Sequence, residues 1–163
     1  MPTITHGPAL VSSCAQATTA KEASFRIDYP LAAARNTRVV AMDPGALVIV
    51  RAASTHEWSQ AKFYSVSNMG HDLVSMDGER LPLEGEIADS NTVIMVATTG
   101  VDAEASATIG LSCRARGITT AGLVVTPGRL TSDALRALRP HARILLVPAE
   151  ADDLIELLRA TRA

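Results

Sequence analysis

The chain has 163 residues, of which 47% are hydrophobic and 20% charged, and a net charge of −2. This describes one ordinary domain with a real core, and it excludes disorder over most of the chain. No run approaches the ~20 apolar residues that span a bilayer, and fifteen Lys+Arg against seventeen Asp+Glu argue against a broad electrostatic grip on nucleic acid.

All five aromatics, Phe25, Tyr29, Trp58, Phe63 and Tyr64, lie before residue 65. The rest of the chain must build its core from Val, Leu, Ile and Ala, and offers no aromatic platform for stacking bases. Cys14 and Cys113 are the only cysteines. So far apart, they read as reduced thiols rather than a disulfide framework or a metal site. Met1–Thr19 has neither a basic start nor a long apolar stretch, so no signal peptide is expected and the chain reads as cytoplasmic.

Residues 1–24 are rich in Ser, Thr and Ala and read as an arm or a short helix; a single domain is expected over 25–163. Arg38–Met42 is a short apolar run ending at Asp43-Pro44-Gly45, a turn signal. The continuous run Ala46–Val50 then predicts a second strand beside the first. Ser54–Trp58 resembles a helix start, which predicts a short helix over 55–61. Lys62–Ser67 alternates and predicts a strand. Leu73–Met76, Asp77-Gly78 and Glu79–Leu81 predict a hairpin with a two-residue type I′ turn, and Pro82 confines its return strand to an edge.

From residue 91 the pattern is strand, helix, three times over. Strands are predicted near 92–97, 120–125 and 143–147, and helices over 102–116, 131–138 and 152–162. Gly117 closes the first of these helices. Continuous apolar strands joined by helices make a parallel sheet. The fold class is therefore α/β: a three-layer, open, mostly parallel sheet of the Rossmann-like or flavodoxin-like kind, with a β-hairpin at its edge.

Ligands of such sheets bind beyond the C-terminal strand ends. The loops there are 68–72, 98–102, 126–129 and 148–150. Thr98-Thr99-Gly100 joins a strand to a helix N-terminus, where hydroxyls, a Gly and free amides suit an anion. Asp102 and Glu104 in the same first turn would repel one. The loop resembles the hydroxyl-rich turn of sugar-isomerase domains, but lacks that family's further Ser/Thr and places an acid where a hydroxyl stands. Thr126, Gly128 and Arg129 follow the next strand, and Arg129 is the best candidate for holding a carboxylate or phosphate. Asn68 begins the loop that carries His71 and Asp72, a pair that could supply general acid–base chemistry. Scattered His and Cys predict no metal site, and neither a Walker loop nor G-x-G-x-x-G is present. No cofactor is specified.

Three readings follow. The leading one is a small-molecule-binding domain for an anionic metabolite or nucleotide, held by Asn68, Thr98, Thr99, Gly100, Thr126, Gly128 and Arg129. An accessory or regulatory subunit would fit the sparse catalytic side chains. The second is an isomerase, lyase or hydrolase using His71 and Asp72 in the same cleft. The third is an assembly protein. The apolar residues Leu154, Leu157 and Leu158 on the last helix predict self-association as a homo-oligomer. Neither a nucleic acid nor a membrane is expected as partner.

Overall fold

The computed structural model describes residues 33–126 and 132–163. The arm expected over 1–24 lies outside them, as do Gly128 and Arg129. The elements in chain order are β1 (Thr37–Ala41), α1 (Pro44–Ser54), β2 (Lys62–Ser67), a 3₁₀ turn (Asn68–Gly70), β3 (Asp72–Ser75), β4 (Arg80–Pro82), α2 (Leu83–Ile87), β5 (Thr92–Ala97), α3 (Ala103–Ala115), β6 (Thr119–Val125), α4 (Ser132–Leu138), β7 (Ile144–Ala149) and α5 (Ala151–Ala160).

Seven strands form one sheet in the order β4-β3-β2-β1-β5-β6-β7. β2, β1, β5, β6 and β7 are mutually parallel. β3 and β4 add an antiparallel edge, with Pro82 on the outermost strand. The sheet is therefore mixed but mostly parallel, with the hairpin where the sequence puts it. Counted among themselves, the parallel strands run 2-1-3-4-5, the flavodoxin-like doubly wound order. The chain steps one way from β1 and the other way from β5, so the order reverses between these two neighbours.

Period-2 alternation along the strands sorts the core into two layers. Val39, Ala41, Ile94, Val96, Leu123 and Val125 face α1 and α5, meeting Ala46, Val50, Leu154 and Leu158. Val40, Val93, Met95 and Val124 face α2, α3 and α4, meeting Leu83, Ile87, Ile109, Cys113 and Leu138. Strands buried on both faces explain the unbroken apolar runs of β1, β5 and β6. On α5, Leu154 and Leu158 are buried and Leu157 packs beside them, so the residues that suggested self-association serve the domain's own core.

Three local expectations fail. Residues 46–50 are not a strand: Asp43 and Pro44 begin α1. The Asp43 side chain accepts a hydrogen bond from Ala46 N (2.8 Å) and Pro44 occupies the first turn. This is the cap chemistry that starts a helix, and the buried positions Ala46, Val50 and Ala53 follow helical spacing. The helix predicted over 55–61 is absent because Thr55 ends α1 instead of starting a helix. Its backbone N–H donates to Ala52 O. Trp58 folds back on that end, its Nε1 donating to Ala53 O (2.9 Å).

The hairpin turn also differs in type. Gly78 has φ +90°, but Asp77 is not among the positive-φ residues. Gly78 N donates to Ser75 O (2.9 Å) and Ser75 N to Glu79 O (2.9 Å). Met76, Asp77 and Gly78 thus form a three-residue connection closed by a left-handed glycine, not a type I′ turn.

Among the described residues, one charged side chain of the strands is buried. Arg38 is 2% exposed; its Nε donates to Glu86 O (2.8 Å) and its Nη2 to Asp89 Oδ1 (2.7 Å). Tyr64 is buried beside it, its hydroxyl donating to Glu86. Burial, then the adjacent Glu86 carboxylate, hold that hydroxyl well above the ordinary tyrosine range. These contacts tie α2 and the 86–89 segment to β1 and β2.

Candidate functional site at the C-terminal strand edge

The parallel strands deliver Asp43, Asn68, Thr98, Thr126 and Glu150 to one edge of the sheet. Asp43 follows β1 and Thr98 follows β5, the two strands between which the order reverses. Asp43 Oδ2 accepts from Thr98 N (2.6 Å), and its Oδ1 accepts from Thr98 Oγ1 (2.6 Å). The same Oδ1 caps α1. Gly45 permits this approach, since a Cβ there would lie 2.5 Å from Thr98 Oγ1. Gly100 lies over Asp43, a Cβ there falling 3.7 Å from the Asp43 Cβ.

This geometry bears on the hydroxyl-rich loop. The amide and hydroxyl of Thr98, which the sequence suggested for an anion, are both engaged by a carboxylate. The helix that follows is capped by Asp102, whose Oδ1 accepts from Glu104 N (2.9 Å). Helix first turns on this edge carry Glu104, Asp133, Asp152 and Asp153. Last turns carry Arg51, Arg114, Arg136 and Arg159. The helix dipoles account for that division without any ligand. Its result is an acidic C-terminal edge among the described residues.

A pocket of about 610 Å³ opens beside the Asp43–Thr98 clasp. Ile49 of α1 forms one wall and Ala151 of α5 another, Val125 and Ala149 are apolar strand ends, and Thr98, Thr126 and Glu150 are its polar groups. Thr126 Oγ1 is buried without a hydrogen-bond partner among the described residues. Thr98 and Thr126, both singled out from the sequence, therefore share one pocket. Thr99 and Gly100 are exposed on the adjoining loop. Ile49 and Ala151 are not among the residues that the sequence singles out, because its pattern predicts a strand over 46–50 and a last helix starting at 152. The Asp43-Pro44 cap was the signal that would have found the first.

Asn68, His71 and Asp72 reach the same edge but do not line this pocket. Asn68, Met69 and Gly70 have φ of 48°, 52° and 89°. This left-handed turn is pressed against α3, where a Cβ on Gly70 would lie 2.7 Å from Ala105 O. Asp72 Oδ2 accepts from Asn68 Nδ2 (3.0 Å). His71 is exposed, and no hydrogen bond joins it to Asp72.

Among the described residues no group of three or more His, Cys, Asp or Glu could hold a metal ion, and no helix is long and apolar enough to cross a membrane. Comparison with models of known protein families finds no match, and comparison with curated proteins finds none either.

Proposed function

We propose that this domain binds a small organic molecule in the pocket between α1 and α5 at the C-terminal strand edge. One observation carries the reading. Beside the point where strand order reverses, an apolar floor meets Thr98 and Thr126, and the Thr126 hydroxyl lacks a partner among the described residues. A ligand hydroxyl or amine would satisfy that hydroxyl and suit the acidic rim, while its apolar body would cover Ile49 and Val125. The anionic metabolite or nucleotide expected from the sequence depends here on Arg129, the cation that follows Thr126 in the chain. The enzyme reading is weaker, because Asp72 is engaged by Asn68 and not by His71.

The test is mass spectrometry of molecules released from natively purified full-length protein, compared with the A151F variant. Ala151 is exposed at the pocket rim, so a phenyl group there obstructs the pocket without entering the core. A metabolite enriched with the wild type and lost from A151F supports the proposal. Equal profiles from both proteins refute it.

The assembly reading keeps one supporting observation. β7 is an edge strand, and Ile144 and Leu146 on it are 51% and 38% exposed. An open apolar edge is a template for pairing with a second copy. Light scattering of the wild type and of I144K decides between a dimer that I144K dissociates and a monomer.

A further inference from the structure

The opposite edge of the sheet carries a second cleft, of about 550 Å³, between the C-terminal end of α3 and the loop that joins α4 to β7. Arg114, His141 and Arg143 bring the cationic and imidazole groups to it, with Thr119 beside them. We propose that this cleft binds the phosphate or pyrophosphate group of a small metabolite, independently of the pocket at the C-terminal edge.

Four observations carry this. The cleft's lining includes an arginine from α3 and one from the loop before β7, and no acid among the described residues. Neither the Arg114 nor the Arg143 guanidinium has an ion pair or hydrogen bond among the described residues, whereas neighbouring Arg116 is held by Glu84. Two arginines lining one cleft with no acid in its lining favour a dianion there.

The walls of the cleft are also tied to one another. Thr120 Oγ1 donates to His141 O (2.6 Å), and Arg143 N donates to Thr120 O (2.9 Å). His141 packs on Gly110 of α3, where a Cβ would lie 2.5 Å from the His141 Cβ. A side chain at position 110 would push the loop away, so glycine sets how closely the two walls approach.

Finally, the negative end of the α3 dipole is blunted. Cys113 O accepts from Arg116 N and Ile118 N, and Arg114 O accepts from Gly117 N. Two of the last-turn carbonyls that would repel an anion are engaged in these bonds.

The experiment is a two-dimensional amide NMR titration of the full chain with inorganic pyrophosphate, with sodium chloride matching the ionic strength. The expected result is saturable shifts centred on Gly117–Thr120 and Ala142–Arg143, absent with chloride. R114Q and R143Q should each weaken binding by about tenfold, and R51Q, at the end of a different helix, should not change it. Both substituted arginines are exposed, and the wild-type shift map stands by itself if a variant misfolds. Shifts that fail to saturate by about 10 mM, that centre on Thr98 and Thr126, or that R51Q weakens equally overturn the assignment. A single-stranded oligonucleotide at matched phosphate concentration separates the sources. Tighter, steeply salt-dependent binding of the oligonucleotide would overturn the metabolite assignment.

Discussion

Asp43 and Thr98 hold each other across the reversal of strand order. The Asp43 carboxylate takes both the amide and the hydroxyl of Thr98, each at 2.6 Å, while capping α1. Asp43 is 7% exposed, so these three bonds replace most of its hydration. One side chain thus joins β1, α1 and β5 at the edge where a ligand would approach.

D43A should therefore destabilise the fold by about 2–4 kcal/mol, since it removes a helix cap and leaves the Thr98 amide without its partner. D43N keeps an acceptor for the cap and should cost less. Urea unfolding of the two variants measures the difference. A loss below about 0.5 kcal/mol in D43A would show that the clasp is dispensable.

Two glycines with nearly equal φ should respond differently to alanine. A methyl group added at Gly78 (φ +90°) would meet nothing within 4 Å, so G78A carries only backbone strain, about 1 kcal/mol. Gly70 (φ +89°) would also drive its Cβ against Ala105 O at 2.7 Å. G70A should cost at least about 1 kcal/mol more than G78A and loosen the 68–72 loop from α3. Thermal melts of both variants check the order, and equal costs would contradict it.

Burial pushes the Cys113 thiol up from 9.0 to about 12, with Glu84 adding to the shift and Arg116 opposing it. Between these values the unfolded chain loses a proton that the native state keeps. The unfolded state then binds fewer protons, so stability falls as pH rises from about 9 towards 12. Tyr64, raised in the same direction, adds to the fall at its upper end. C113A should flatten the slope of stability against pH over this window, whatever its effect at pH 7. At neutral pH Cys113 should resist alkylation in a C14S background until the protein unfolds.

Thr126 provides a test at the candidate site. Replacing its hydroxyl, which has no partner among the described residues, by a methyl group in T126V should leave the free protein as stable or raise stability by up to about 1 kcal/mol. The same change should weaken a ligand that bonds this hydroxyl. Calorimetry with the molecule recovered from the wild type would separate the two effects. A marked loss of stability without ligand would show that the hydroxyl serves the fold.

The class of fold was legible in the residues alone. The runs of β5, β6 and β7 alternate with capped helices, and unbroken apolar strands between helices have few solutions besides a parallel sheet. Asp77-Gly78 and Pro82 placed the hairpin at an edge, because a positive φ and a missing N–H are local demands. Local chemistry misled where two local signals competed. In 43–50 the β-branched run outweighed the Asp43-Pro44 cap, and only packing against Val39 and Val96 shows the helix to be the better burial. Which edge loops meet was settled by the three-dimensional fold. Loop spacing could bring Thr98 and Thr126 to one edge, but their shared pocket depends on α1 lying on the α5 face of the sheet, and the separation of Asn68, His71 and Asp72 on the fit of Gly70 against Ala105. The pairing of Asp43 with Thr98 spans 55 positions and two strands. Such contacts are fixed by strand order, and strand order follows from the sum of packing on both faces, which no single stretch of sequence contains.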